Sequence, residues 1–359
     1  MLKKTISFVL VCVISAICLC GCNLRVIEDS TDEENSKSSA VQSSAQTSRE
    51  SSADPALGEN TITPSMWRVT DADGNFIYMM GSIHAGDRRM KNLPDYFENA
   101  FSVCDSLAVE ADVNALSEDL SEALRLAASL MYTDNTKIYD HIPVATYDAM
   151  VNKLKEHNMY MSAYDSYKPV MWTSLMENAV ITETGLSTDM GLDKLLLTRA
   201  DSEGKTIKEV ESAELQLSLY DGLSDEAAGY LLGDYVEDGH FDQKVSSTKE
   251  MYELWTKGKL DEKALSDDTQ SEQSVPQEIM DELLSLSDSI LKNRNKAMAE
   301  KAEEYMKDSG VVMFVVGSAH FYGDDGILKL MENDGCTVEK LSSESIVSVS
   351  SSSDTEAAA

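Results

Sequence analysis

Two stretches decide the fold: FIYMMGSIH at Phe76 to His84, and VMFVVGSAH at Val312 to His320. Each is an apolar run that stops at Gly-Ser-x-His, and a Gly-Asp pair follows each, as Gly86-Asp87 and Gly323-Asp324. Short apolar runs rich in aromatic and β-branched residues and bounded by glycine read as buried strands. In open α/β sheets, ligands collect beyond the carboxyl ends of the strands. Two such strands lying parallel in one sheet would bring His84 and His320 to the same edge.

Around the first stretch, residues 65–70 alternate as a strand, and 71–75 form a turn in which Gly74 takes positive φ. Leu93-Pro94 opens a helix to about Val103, and 106–113 is the next strand. Glu110 and Asp112, two apart at its far end, share one face. If this strand neighbours the first histidine strand, both carboxylates emerge beside His84. The middle is helical, with apolar residues three and four apart over 114–132, 144–157 and 168–184. A helix over 191–200 and a short strand over 205–211 follow, with Glu211 at the strand's exit. Helices are expected at 213–220, 224–236 and 242–255, an exposed acidic loop at 260–277, and one long amphipathic helix over 277–308 that carries Arg294-Asn295. Residues 326–333 read as a helix, and 337–341 as the strand that closes the sheet. The fold class is therefore α/β: a central mixed sheet with flanking helices and a large helical insertion at about 114–308.

The chain has 359 residues, with 63 acidic against 30 basic. Phosphate binding needs clustered Lys and Arg, so this balance excludes nucleic acid as a partner. It also argues against a basic patch on anionic lipid. It favours solubility and cation binding, with a solvated acidic surface as the plain alternative. Residues 1–22 read as a leader. Lys3 and Lys4 precede an apolar core at 6–19 that is too short to span a bilayer. It ends Leu19-Cys20-Gly21-Cys22, which resembles a bacterial lipobox. That resemblance makes Cys22 a lipidated (palmitate-type) anchor and sets the protein at the cell membrane, facing outside the cytoplasm; an ordinary cleaved signal peptide is the alternative. Several acyl chains anchor stably where one is marginal. Residues 23–60 are rich in Ser and acids, too poor in apolar residues to fold, and read as a tether; so does the 342–359 tail. Cys104 and Cys336 remain in the domain, as a disulfide or as two thiols.

Imidazole is both a common transition-metal ligand and the usual general base. A pair of histidines plus a carboxylate with an open position is a common catalytic metal set, so His84, His320 and Glu110 are the candidate ligands. Bound metal acidifies water for attack at neutral pH. Glu211 is a further ligand or the base that takes the water's proton. Arg294, on the polar side of its helix, pairs with a surface acid, orients a substrate carboxylate or stabilises an oxyanion. His141, His157 and His240 have no companion motif. There is no Gly-x-Ser-x-Gly elbow, phosphate loop or His-Glu-x-x-His helix.

With these residues in place, the sequence resembles the TraB/GumN family, which includes the TIKI proteins, over about residues 65–341. The resemblance rests on paired Gly-x-x-His motifs (Gly81 to His84, Gly317 to His320), Leu93-Pro94, Glu110 in a strand, and Gly191-Leu192-Asp193 before a helix. Lys205 to Glu211 with Gln216, Arg294-Asn295, and Gly323 to Leu341 complete it. It implies a TIKI/TraB-like α/β domain, akin to EreA- and ChaN-like folds, with an inserted helical region. It also implies a membrane-associated peptidase dependent on a divalent metal ion such as manganese, cobalt or zinc. His84, Glu110 and His320 would then hold the metal, and Glu211 and Arg294 would support catalysis on a peptide substrate. A non-catalytic lipoprotein that sequesters a peptide, haem or metal would use the same histidines.

Overall fold

A computed structural model of the chain describes residues 61–265 and 275–342. The leader with Cys22, the tether, residues 266–274 of the acidic loop and the tail beyond Ser342 lie outside the described residues.

Six strands form one mixed sheet: β1 (Met66–Thr70), β2 (Phe76–Ser82), β3 (Ser106–Val109), β4 (Thr206–Glu209), β5 (Val312–Gly317) and β6 (Thr337–Lys340), in the order β4-β3-β5-β2-β1-β6. The expectation for the two histidine strands holds: β2 and β5 pair in parallel, with Gly81 opposite Val316 and Ser82 opposite Gly317. The two motifs are thus staggered by one residue. β3 pairs in parallel with β5 on its other side and with β4 beyond, so Glu110 leaves the sheet beside β5 rather than beside β2. β1 and β6 close the other edge in antiparallel fashion.

Alternation along the strands sends side chains to two cores. Met66, Met80, Leu107, Val109, Met313 and Val315 face the helices Asp95–Val103, Leu192–Ser202 and His240–Thr256. Trp67, Ile77, Met79, Ala108, Phe314 and Val316 face Lys292–Met306 and Ile327–Asn333. Burial on both faces explains why β2, β3 and β5 read as continuous apolar runs. A third core, centred on the helix Pro169–Thr184, lies inside the helical insertion.

Several elements end earlier than periodicity suggests. β3 stops at Val109. Asp112 leaves the strand to cap the helix Val113–Glu118, its carboxylate accepting from the Ala115 N–H at 3.0 Å; it shares no strand face with Glu110. The 114–132 pattern is two helices meeting at Asp119, which caps the second. The 277–308 pattern is also two, Gln277–Ile290 and Lys292–Met306, broken at Leu291 (φ −114°, ψ −71°). The acidic loop contains a short helix, Glu262–Leu265. Cys104 and Cys336 are free thiols, in cores on opposite faces of the sheet.

The repeated Gly-Ser also has a packing cause. Ser318, just past β5, sits on Gly81 of β2 and donates its hydroxyl to the Ser82 carbonyl at 2.8 Å. A Cβ on Gly81 would lie 2.8 Å from the Ser318 Cα, a backbone atom that cannot swing away. Gly81→Ala is therefore expected to destabilise the fold by about 1–3 kcal/mol, read as a lowered denaturant midpoint at unchanged slope.

Candidate functional site

Beyond the carboxyl ends of β2, β5 and β3, the chain delivers three side chains to one hollow. His84 follows β2 by two residues, His320 lies in the 3-10 turn Ser318–Phe321 after β5, and Glu110 follows β3. All three are buried. Gly317 forms the floor between them. A Cβ at Gly317 would lie 3.1 Å from Glu110 Oε1, 3.6 Å from His320 Cδ2 and 3.8 Å from His84 Nε2. Glycine there keeps the hollow open.

Both rings are anchored through Nδ1. His84 Nδ1 lies 2.9 Å from Asp193 Oδ2, and a carboxylate accepts, so Nδ1 carries the proton. Asp193 is the second residue of Leu192–Ser202, a helix docked by the Leu192 N–H on the Ile83 carbonyl at 2.9 Å. His320 Nδ1 lies 2.6 Å from Asn295 Oδ1. The Asn295 amide nitrogen donates to the Asp325 carbonyl at 2.8 Å, which fixes its oxygen toward the ring; His320 Nδ1 is again the donor. On a neutral ring so anchored the lone pair is on Nε2. The Nε2 of His320 is buried with no hydrogen-bond partner among the described residues. Burial, then the nearby Arg294 guanidinium, pushes this ring's pKa down to about 3, so it is neutral.

Glu110 is a heavily used carboxylate. Its Oε1 accepts the Gly317 N–H at 2.6 Å and stands 4.0 Å from His320 Nε2. Its Oε2 accepts from Gln216 at 2.8 Å and Arg294 at 2.7 Å. Burial, the largest single influence, would raise its pKa; the Arg294 charge, the two histidines and the Gly317 N–H together outweigh it and hold the group down at about 2.

Arg294 differs from the sequence expectation. It lies on no polar helix face but is 3% exposed. Its Nε bonds both oxygens of Glu211 at 2.9 and 3.0 Å, and its Nη2 bonds Glu110 and Glu211, each at 2.7 Å. Glu211 lies two residues past β4 and carries a second contact, from Gln216 at 3.3 Å. Both residues thus face each other, with no side of the guanidinium fork left for a substrate.

In chemistry, though not in spacing, this donor set suits a divalent transition metal. Each imidazole donates Nδ1–H to a fixed oxygen, the arrangement that orients metal-ligating histidines, and His320 Nε2 has no hydrogen-bond partner among the described residues. Glu110 Oε1 retains acceptor capacity beyond the Gly317 bond. One guanidinium faces two carboxylates, Glu110 and Glu211, so the buried charge is short of a cation. The spacing is open, however: among the described residues, the group of three whose ligand atoms all lie within 4.8 Å is Asp234, Glu237 and His240. There His240 Nδ1 bonds Asp234 at 2.9 Å, and Lys244 Nζ already sits 2.9 Å from the other Asp234 oxygen. Of the remaining histidines, His141 pairs with Asp225 at 3.0 Å, and His157 lies against Phe241.

Sequence reasoning gave no chemical role to Asp193 or Asn295, the two residues that orient the rings, and passed over Glu177. Glu177 is 4% exposed on the Pro169–Thr184 helix, with the Tyr235 hydroxyl donating to its Oε1. Its signal was the one charge inside the stretch VMWTSLMENAVI. The trailing Asp87 does no chemistry at the hollow: it caps the turn Arg88–Lys91 and bonds Arg89 and Tyr252.

The electrostatics set a pH response. An unfolded histidine binds a proton below about pH 6.5, whereas folded His320 waits until about 3. The unfolded state holds more protons in that window, so stability is present above it and is lost as pH falls through it. Glu110, held at about 2 against 4.5, adds loss of the same sign lower down. Between pH 6 and 5, His320→Asn is expected to flatten the slope of unfolding free energy by up to about 1.4 kcal/mol per pH unit, measured by urea melts across pH.

Comparison with known proteins agrees with the geometry. The family model described as the TraB/PrgY/gumN family matches residues 65–340, which spans the sheet, both histidines and the helical insertion. The chain is 24% identical over 281 residues to the uncharacterized protein YbaP of Escherichia coli (strain K12), covering 77% of this chain and 95% of that protein. YbaP of Shigella flexneri matches to the same extent. No solved structure matches. With a family model covering the whole sheet and the residues that converge on its edge, this chain belongs to the TraB/PrgY/gumN family.

Proposed function

We propose that the protein is a divalent-metal-dependent hydrolase of peptides, anchored at the cell membrane through Cys22 and facing outside the cytoplasm. The observation that carries the hydrolase reading is the pair of buried imidazoles, each oriented through Nδ1, with the neutral His320 ring leaving a buried Nε2 unpartnered among the described residues beside a buried carboxylate. A hydrogen-bonded core histidine needs no such arrangement, and a buried ring nitrogen without a partner costs free energy unless something fills it.

His84 Nε2, His320 Nε2 and Glu110 Oε1 would hold the ion. When bound, it would supply Lewis acidity and a water acidic enough to react near neutral pH. The chain's own groups do the rest. Asp193 and Asn295 fix the tautomers. Arg294 and Glu211 hold Glu110 in place, its Oε1 4.0 Å from His320 Nε2; with that oxygen given to the ion, the acceptor of a water's proton would be another carboxylate. Glu211 would serve as that acceptor only after leaving the Arg294 fork. Burial excludes bulk water and strengthens each of these contacts.

The anchor rests on the leader sequence. Among the described residues, no helix is long and apolar enough to cross a membrane. Binding without turnover is the competing reading, and one experiment separates them. The protein is incubated with a peptide mixture, with and without manganese, cobalt or zinc, while metal content is measured. Metal-dependent cleavage is expected, with His84→Ala or His320→Ala lowering it by about 100-fold or more. Gly317→Ala fills the hollow rather than removing a ligand. It is expected to abolish ion binding while the melting temperature stays near that of the unsubstituted protein. Ion or peptide binding with no cleavage under any metal would sink the hydrolase reading and leave the sequestering one.

A further inference from the structure

The two Gly-Ser-x-His frames put their serines to different uses. Ser318 donates its hydroxyl to the Ser82 carbonyl and so ties the end of β5 to β2. Ser82 is fully buried, yet its own hydroxyl has no hydrogen-bond partner among the described residues. A buried hydroxyl left unbonded costs free energy, so its presence calls for a use. Its direction follows from the register. Ser82 lies opposite Gly317 in the parallel pair of β2 and β5, and facing residues send their side chains to the same side of a sheet. A Cβ at Gly317 would point into the hollow, 3.1 Å from Glu110 Oε1 and 3.8 Å from His84 Nε2. The Ser82 Cβ therefore stands on the hollow's side of the sheet, about 5 Å across from that point.

The other donors around Glu110 are already engaged. The Gly317 N–H is given to Glu110, the Gln216 amide to Glu110 and Glu211, and Arg294 to the same two carboxylates. Resting on the peptide-hydrolase reading, we infer that Ser82 is a catalytic residue whose hydroxyl donates a hydrogen bond to the carbonyl oxygen of the scissile amide as that oxygen gains charge. When the oxygen of water bonds the acyl carbon, the carbonyl π pair moves onto this oxygen, and the proton of water passes to a carboxylate of the site. On collapse the pair re-forms the carbonyl, the C–N bond breaks, and the proton leaves with the amine. Ser82 keeps its own proton throughout, so it is a donor and not a nucleophile. A fixed hydroxyl in a buried site acts on such charge more strongly than it would in water. The same census selects the reacting group. An uncharged acyl group suits one neutral donor, whereas a phosphate anion would meet Glu110 with the Arg294 charge already taken.

Ser82→Ala tests this through three measurements. In metal-free protein, loss of an unbonded buried hydroxyl is expected to leave the melting temperature unchanged or raised; a lowered one marks a structural serine and overturns the inference. Titrated with whichever of manganese, cobalt or zinc supports cleavage, the variant is expected to bind the ion as tightly as the unsubstituted protein. A loss of about tenfold or more would make Ser82 part of the ion's own shell instead, which also overturns the inference. With a peptide that the unsubstituted protein cleaves, kcat is expected to fall by about 100-fold while KM stays nearly constant, the pattern of a contact made only in the transition state. An unchanged kcat, or a loss confined to KM, removes Ser82 from the mechanism and leaves the hydrolase reading standing. If the unsubstituted protein cleaves nothing under any of the three ions, the hydrolase reading fails first and the role of Ser82 falls with it.

Discussion

The guanidinium of Arg294 is shared between two buried carboxylates that reach it from different strands, and the rest of the site depends on that sharing. Glu110 arrives from the end of β3, Glu211 from beyond β4, and Arg294 from a helix 184 and 83 residues further along the chain. Burying three charges is costly, and a buried ion cluster is weak evidence for stability by itself. Its effect here is on geometry. With Nε and Nη2 each committed, Arg294 fixes the carboxylate plane of Glu110, and that plane turns Oε1 toward Gly317 and His320. Removing one partner would leave a buried charge uncompensated, a loss of order 3–5 kcal/mol in comparable cases. The cluster also ties Lys292–Met306 to the sheet edge, where the Leu291 break lets that helix take a direction different from Gln277–Ile290.

The imidazoles depend on a second constraint, the parallel register of β2 and β5. A one-residue stagger places His84 and His320 at different distances past the sheet, one in an extended loop and one in a 3-10 turn. They still face one hollow because each is pulled by a different helix: Asp193 holds one ring, Asn295 the other. Asn295 follows Arg294 directly, so adjacent residues on a single helix orient both the carboxylate and one imidazole. A shift of that helix would disturb the two side chains together.

The strands were legible in the sequence because burial on both faces writes itself as an unbroken apolar run, and the Gly-Ser-x-His ends marked where those runs meet the ligand edge. The candidate residues His84, Glu110 and His320 followed from that placement. Arg294 was misplaced because helical periodicity sorts residues by polarity, and a buried Arg satisfied by distant carboxylates looks the same as one in water. Asp112 was misplaced because alternation cannot tell a strand's last residues from the cap of the next helix. The double helix at 277–308 read as one because the break at Leu291 carries no glycine or proline. Glu177 left a local trace, a charge in an apolar helix, but its neighbours come from elements tens of residues away.

Proximity alone is a poor guide to which acidic group holds an ion. Asp234, Glu237 and His240 are closer together than His84, Glu110 and His320, yet Lys244 already sits on one Asp234 oxygen, and His240 and Glu237 keep partial contact with solvent. The residues at the sheet edge are more widely spaced, but they are buried, their imidazoles are locked as Nδ1–H tautomers, and one ring nitrogen has no partner. A lone pair in water is always satisfied; a lone pair in the interior is not. Free energy is therefore gained by bringing a cation to the second group and hardly at all by bringing one to the first. On that argument the wider, drier triad is the one on which the proposed function rests.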